Sequence, residues 1–290
     1  MFRGAIVALV TPFRNGTVDE KALCDLIESC LADGASGFVP CGSTGESATL
    51  SHAEHKQVVE LTVQAVRGRA KVIAGTGSNA TAEAIDLTRH ARDVGADGAL
   101  LISPYYNKPT QEGIYRHYEA VARAVDLPIL VYNIPGRTAS NVLPETLARL
   151  AEIENVAGVK EASGNIEQIS NVVRLCGPDF IVLSGDDTFT LPVLAVGGHG
   201  VISAAANVTP RDFVDLCRTW EAGDIERAQA IHRKILPLCA ALFLETNPIP
   251  IKAALHLMGK ITDEIRLPLT RMTPANLEKL RLALKDHGLL

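Results

Sequence analysis

The chain has 290 residues, 47% of them hydrophobic, with a formal charge of -5 and a pI near 5.9, so it can bury a large core and carries no basic surplus for phosphate backbones or anionic membranes. Aromatic residues are only 4%, too few for the stacking platforms that hold single-stranded nucleic acid. Six cysteines at 24, 30, 41, 176, 217 and 239 form no C-x-x-C pair, which argues against a disulfide framework or a zinc site and fits reduced thiols in a cytoplasmic protein.

Residues 4–10 form an apolar run after Arg3 that superficially resembles a signal peptide. The run is short, has no A-x-A pattern and meets Thr11-Pro12-Phe13, so a first strand is expected. Similar apolar, β-branched runs follow, giving strands at 5–10, 37–40, 71–74, 98–102, 128–132, 156–160, 180–184 and 200–203. Helical periodicity fills most of the gaps. In 22–31, for example, Leu23, Leu26, Ile27, Cys30 and Leu31 share one face. Ser51, Thr81 and Thr110 are expected as N-caps, and Gly34 and Gly95 sit where helices should stop. A faint repeat supports the rhythm: Asp33-Gly-Ala-Ser-Gly-Phe-Val-Pro resembles Val94-Gly-Ala-Asp-Gly-Ala-Leu-Leu.

Fully apolar strands alternating with helices imply a parallel sheet covered on its outer face. Eight such units suit a closed (β/α)8 TIM barrel; an open doubly wound sheet is the alternative. After Arg211 only helical patterns continue, at 224–244, 250–258 and 274–287. The expected organisation is a catalytic barrel over 1–223 and an all-helical C-terminal domain over 224–290. No stretch approaches the ~18 apolar residues a membrane helix needs.

A barrel of this kind builds its active site at the C-terminal strand ends. There the sequence places Gly42-Ser43-Thr44-Gly45-Glu46, Pro104-Tyr105-Tyr106-Asn107, Tyr132-Asn133-Ile134-Pro135-Gly136-Arg137, Lys160 and Gly185-Asp186-Asp187. Lys160 is the sharpest of these. In a desolvated pocket its amine would be neutral enough to attack a ketone and form an imine, an electron sink for making a carbon nucleophile. The competing reading is a lysine that reaches solvent or pairs with Glu161. Tyr132 suits a proton shuttle partnered by a hydroxyl such as Thr44, or a core tyrosine. Arg137 suits forked recognition of a carboxylate, or a surface ion pair. Ser43 and Thr44 suit carboxylate binding in a Gly-flanked turn, or ordinary turn chemistry.

Other signals are weaker. Gly75-Thr-Gly77-Ser-Asn-Ala80 matches G-x-G-x-x-A, but no acidic residue ends the following strand, so tight turn geometry is favoured over a dinucleotide site. His52 and His55 lack the company of a metal site, Asp186 and Asp187 are expected to cap a helix rather than hold magnesium, and residues 42–46 lack the lysine of a P-loop.

Taken in order, Gly42-Ser-Thr-Gly-Glu-Ser47, Tyr105-Tyr-Asn-Lys-Pro109, Tyr132-Asn-Ile-Pro-Gly-Arg-Thr138, Val159-Lys-Glu-Ala162, Ser184-Gly-Asp-Asp187 and Asn247-Pro-Ile-Pro-Ile-Lys252 resemble the dihydrodipicolinate synthase family, among the pyruvate-dependent class I aldolases, over nearly the whole chain. The resemblance implies an imine between Lys160 and pyruvate, attack of its enamine on L-aspartate 4-semialdehyde in the diaminopimelate route to lysine, and no cofactor or metal. It makes Tyr132, Thr44 and Tyr106 a proton relay, with Tyr106 crossing a dimer interface. Ser43, Gly185 and Ile202 would line the pyruvate pocket, with Ser43 where many members have threonine, and Arg137 would bind the semialdehyde carboxylate. Ser47, Ala48, His52, His55, Asn79, Glu83 and Tyr105 would form an inhibitory site for L-lysine. A homotetramer built as a dimer of dimers is expected. The alternative within the superfamily is an N-acetylneuraminate or 2-keto-3-deoxy sugar acid lyase, against which Arg137 speaks.

Overall fold

The structure is a computed structural model that describes residues 2–290. The eight apolar runs become β1 (Gly4–Ala8), β2 (Gly37–Val39), β3 (Lys71–Gly75), β4 (Gly98–Ile102), β5 (Ile129–Asn133), β6 (Val156–Glu161), β7 (Ile181–Ser184) and β8 (Gly200–Ser203). All neighbours are parallel, and β1 pairs with both β2 and β8, so the sheet closes into the expected TIM barrel. The open-sheet alternative is excluded by that closure.

Alternation within the strands sorts side chains between two cores. Ile6, Val39, Ile73, Leu100, Leu130, Leu183 and Ile202 fill the barrel interior. Their neighbours Val7, Phe38, Val72, Leu101, Val131 and Val182 face outward into a larger layer against the helices. Both faces are therefore apolar, which is why the strands carry no polar alternation.

The covering helices are α1 (Glu20–Ala32), α2 (His52–Val66), α3 (Thr81–Asp93), α4 (Gln111–Ala124), α5 (Pro144–Ala151), α6 (Ile166–Cys176), α7 (Thr190–Ala195) and α8 (Pro210–Glu221). Ser51 caps α2 in a full capping box with Glu54, and Thr110 caps α4. Thr81 departs from expectation. Ala80 occupies the cap position, and the Thr81 hydroxyl instead meets His117 Nδ1 on α4 at 3.0 Å. One element went unforeseen, a hairpin of Phe13–Arg14 with Thr17–Val18 that sits just past β1. Its Asn15-Gly16 turn, with both residues at positive φ, is a hairpin signal present in the sequence.

Three further helices follow the barrel: α9 (Ile225–Leu242), α10 (Ile249–Leu257) and α11 (Pro274–Asp286). α9 packs along α8, and α11 closes over α9 and α10. Among the described residues no helix is long and apolar enough to cross a membrane.

Candidate active site

Register turns the strand-end lysine inward. Lys160 on β6 pairs with Tyr132 on β5 and Leu183 on β7, both members of the interior cluster. Glu161, one residue later, pairs with Asn133 and Ser184 and points to the opposite face. There Asn133 Nδ2 (3.0 Å) and the Ser163 backbone N–H (2.7 Å) donate to its carboxylate. A solvent-reaching Lys160, or one paired with Glu161, is thereby excluded: the lysine is 6% exposed.

Burial pushes the Lys160 ammonium down to about 8, with the Asp187 charge resisting and the Arg137 charge assisting. Near pH 8 about half of the lysine is then the free amine. Its Nζ lies 4.2 Å from the centroid of the Tyr132 ring. Burial pushes the Tyr132 phenol up to about 12, while Arg137 and the Ser43 hydroxyl pull it back. Tyr132 is therefore a proton donor at neutral pH.

Two residues after β7 complete the lysine's surroundings. A Cβ at Gly185 would stand 3.0 Å from Lys160 Cγ and Cε and 2.8 Å from Ala162 Cβ, so only glycine leaves the lysine its path. Asp187 is buried rather than capping a helix as expected; Asp186 does the capping, accepting from Thr188 N at 3.0 Å. Asp187 Oδ2 accepts from Ala205 N (3.2 Å), and Oδ1 has no partner among the described residues. Burial pushes this carboxyl up to about 6. Ile202, fully buried on β8, contributes to the interior wall.

The hydroxyls on the opposite side divide their duties. Ser43 acts on the Tyr132 phenol, whereas Thr44 Oγ1 accepts from Asn247 Nδ2 at 2.9 Å. Asn247 also accepts at its backbone carbonyl from Arg137 Nη2, again at 2.9 Å. This asparagine, from the segment between α9 and α10, was not singled out individually by the sequence. It joins residues 203 and 110 positions away, a closeness that no local pattern reveals. Tyr106 makes none of these contacts: it is 90% exposed, in a left-handed backbone conformation with φ +71.

A cavity of about 460 Å³ runs from Tyr132 and Arg137 at this mouth to Ser47, His52, Glu83 and Tyr105. At the far end His52 Nε2 meets Glu83 Oε1 at 2.7 Å and Ser78 bonds the other oxygen; these contacts hold the Glu83 carboxyl below its usual range. Asn79 Nδ2 donates to the Tyr105 carbonyl (3.2 Å), and His55 Nε2 meets the Gly75 carbonyl (2.8 Å). Ala48 is exposed beside Ser47. The residues expected to form an effector site are thus neighbours on one cavity wall and its rim. The glycines of 75–80 have a steric cause: a Cβ at Gly75 would meet the Cys41 carbonyl at 2.3 Å, and one at Gly77 the Ile102 amide at 2.3 Å.

Comparison with known proteins agrees with this geometry. Residues 1–287 match the Dihydrodipicolinate synthetase family. A 4-hydroxy-tetrahydrodipicolinate synthase from Syntrophus aciditrophicus is 59% identical over 290 residues, covering 100% of each chain. Among solved structures, a dihydrodipicolinate synthase from Cyanidioschyzon merolae with lysine bound superposes with TM-score 0.97 at 43% identity, covering 100% of this chain and 99% of the other. A chloride-inhibited dihydrodipicolinate synthase from Acinetobacter baumannii complexed with pyruvate does so with TM-score 0.98 at 45% identity, covering 100% of both.

Proposed function

Because the chain belongs to the dihydrodipicolinate synthetase family, we propose that it is a lyase that condenses pyruvate with L-aspartate 4-semialdehyde through an imine on Lys160. The observation that carries this reading is the lysine itself: buried at the barrel mouth, held near pKa 8 by desolvation and set against a protonated phenol.

The free amine of Lys160 attacks the keto carbon of pyruvate, and loss of one water gives the imine. Tyr132 protonates the departing hydroxyl, and its phenolate then takes a methyl proton to leave the enamine, with the protonated imine nitrogen serving as the electron sink. The enamine carbon bonds to the aldehyde carbon of the semialdehyde, whose oxygen takes a proton from Tyr132. The substrate amine then attacks the imine carbon, closes the ring and returns Lys160 as the amine. Ser43, Gly185 and Ile202 shape the pyruvate end. Arg137, lining the cavity and braced by Asn247, takes the semialdehyde carboxylate.

Tyr106 completes the relay through Thr44 from a neighbouring chain, which its exposure supports, in a homotetramer made as a dimer of dimers. Ser47, Ala48, His52, His55, Asn79, Glu83 and Tyr105 bind L-lysine as an inhibitor; the Glu83 carboxylate at the cavity's end suits an ammonium group. No cofactor enters this scheme, and it fits a cytoplasmic enzyme. The barrel with its C-terminal helices divides at residue 223.

Borohydride trapping with pyruvate, followed by peptide mass spectrometry, tests the reading. An adduct on Lys160 is expected and should vanish in Lys160→Ala. An adduct on another lysine, or turnover of sugar acids but not of the semialdehyde, would overturn it.

A further inference from the structure

The loop that carries Ser43 and Thr44 is held by groups distant in sequence. Thr11 Oγ1 donates to the Gly45 carbonyl at 2.7 Å, and Asn247 holds Thr44 as described. Glu46, with φ +54, turns its carboxylate into the protein. There Lys252 Nζ on α10 meets Oε1 at 2.5 Å, and the Arg266 backbone N–H donates to Oε2 at 3.1 Å. The two side chains of the pair are 2% and 1% exposed. Lys252 also donates to the Thr11 carbonyl (3.1 Å) and lies 4.2 Å from the centroid of the Phe13 ring. The Arg266 guanidinium reaches past the loop to Glu54 and to the Thr49 carbonyl.

A buried ion pair is a weak net stabiliser, because removing both charges from water offsets most of their attraction. An apolar pair of equal volume would hold α10 to the barrel as well. What the ionic pair adds is direction, since it fixes one carboxylate, and hence the loop that bears it, to a single geometry. Its place in the chain gives that direction a use. Glu46 lies two residues after Thr44 and one before Ser47, between Ser43, which lines the cavity with Tyr132, and the wall that leads to His52 and Glu83.

We propose that the Glu46–Lys252 pair is a positioning device for proton transfer: through it α10 sets Ser43 and Thr44 against Tyr132, while imine formation on Lys160 does not depend on it. This rests on the imine reading of Lys160. Turnover and trapping in the unaltered enzyme therefore come first, and failure there sinks that reading rather than this one.

The test compares Glu46→Gln, Lys252→Met and the double variant in the full-length protein, below each one's unfolding midpoint. The double variant leaves no lone buried charge and is expected to recover Tm lost by the single changes. Its kcat should nevertheless stay at least about tenfold below the unaltered enzyme, the scale of a catalytic group slightly misplaced. KM for pyruvate should hold within about threefold, with the Lys160 adduct still formed. Lys252→Arg, which keeps the charge, should recover more kcat than Lys252→Met. A double variant with kcat within about twofold of the unaltered enzyme overturns the proposal. So does adduct formation that falls in step with kcat, or a chain that folds in none of these variants, since each assigns the pair to stability or to imine formation instead.

Discussion

Around Lys160, two charges of opposite sign compete over one proton. Desolvation and Arg137 favour the neutral amine, while Asp187 favours the ammonium. The carboxyl of Asp187 is itself held near 6, so it is ionised at pH 8. Asp187→Asn removes the one influence that raises the lysine, and the pH midpoint of pyruvate trapping should fall below about 8. A midpoint that rises would show that the carboxyl is not acting as a counter-charge. Gly185→Ala asks a steric question at the same spot. A methyl 3.0 Å from two lysine carbons must push the side chain aside, and trapping should slow by at least about tenfold with little loss of fold. The sequence made Lys160 visible as a strand-end lysine but left its direction open. Direction followed from register, because Tyr132 and Leu183 beside it face the interior. Asp187 misled because acidic residues after a strand commonly cap the next helix, and Asp186 took that duty.

Elements show where local patterns suffice and where they do not. Strands buried on both faces advertise themselves as apolar runs, so all eight were legible, with ends displaced by a residue or two. Lys252 was harder to interpret. It sits on a helix whose other buried residues are Ile249, Pro250, Ile251, Ala254 and Leu255, and a cation among them signals a buried partner without saying which. The α3–α4 contact offers a prediction at this scale. His117 is buried, with Nδ1 on Thr81, its ring edge-on to Tyr118 and Nε2 without a partner among the described residues. Burial pushes its imidazole down to about 4. The unfolded chain, with histidine near 6.5, therefore binds the extra proton between about pH 6.5 and 4, and stability falls as pH drops through that window. His117→Asn should lose about 2 kcal/mol less than the parent between pH 7 and pH 4.5 in urea unfolding. Equal losses would mean that the folded ring takes up its proton as readily as the unfolded one, because the other imidazoles, His55 among them, titrate in both proteins and cancel from the difference.

At the scale of the whole molecule, one chain brings Ser43, Tyr132 and Arg137 to one cavity, with Lys160 behind the Tyr132 ring and Thr44 held by Asn247, and leaves Tyr106 exposed. A tyrosine 90% exposed, in a left-handed backbone conformation, gains nothing from its own fold. Its use must come from a second copy if the relay is to include it. That arrangement makes a countable prediction. Tyr106→Phe and Lys160→Ala should each be nearly inactive alone. In a mixed dimer the site bearing Lys160 receives an intact Tyr106 from its partner, while the other site lacks both. Equal mixing with free exchange puts half the dimers in the mixed state, each with one good site of two, so activity should return to about a quarter of the parent's. Refolding the variants together, then measuring turnover against each variant refolded alone, reads this directly. No recovery in demonstrably mixed oligomers would show that Tyr106 does not serve the partner's site, and the proton would then have to travel through groups of one chain. Recovery near a quarter would make the oligomer part of the active site, and would explain why the chain keeps a bare tyrosine on its surface.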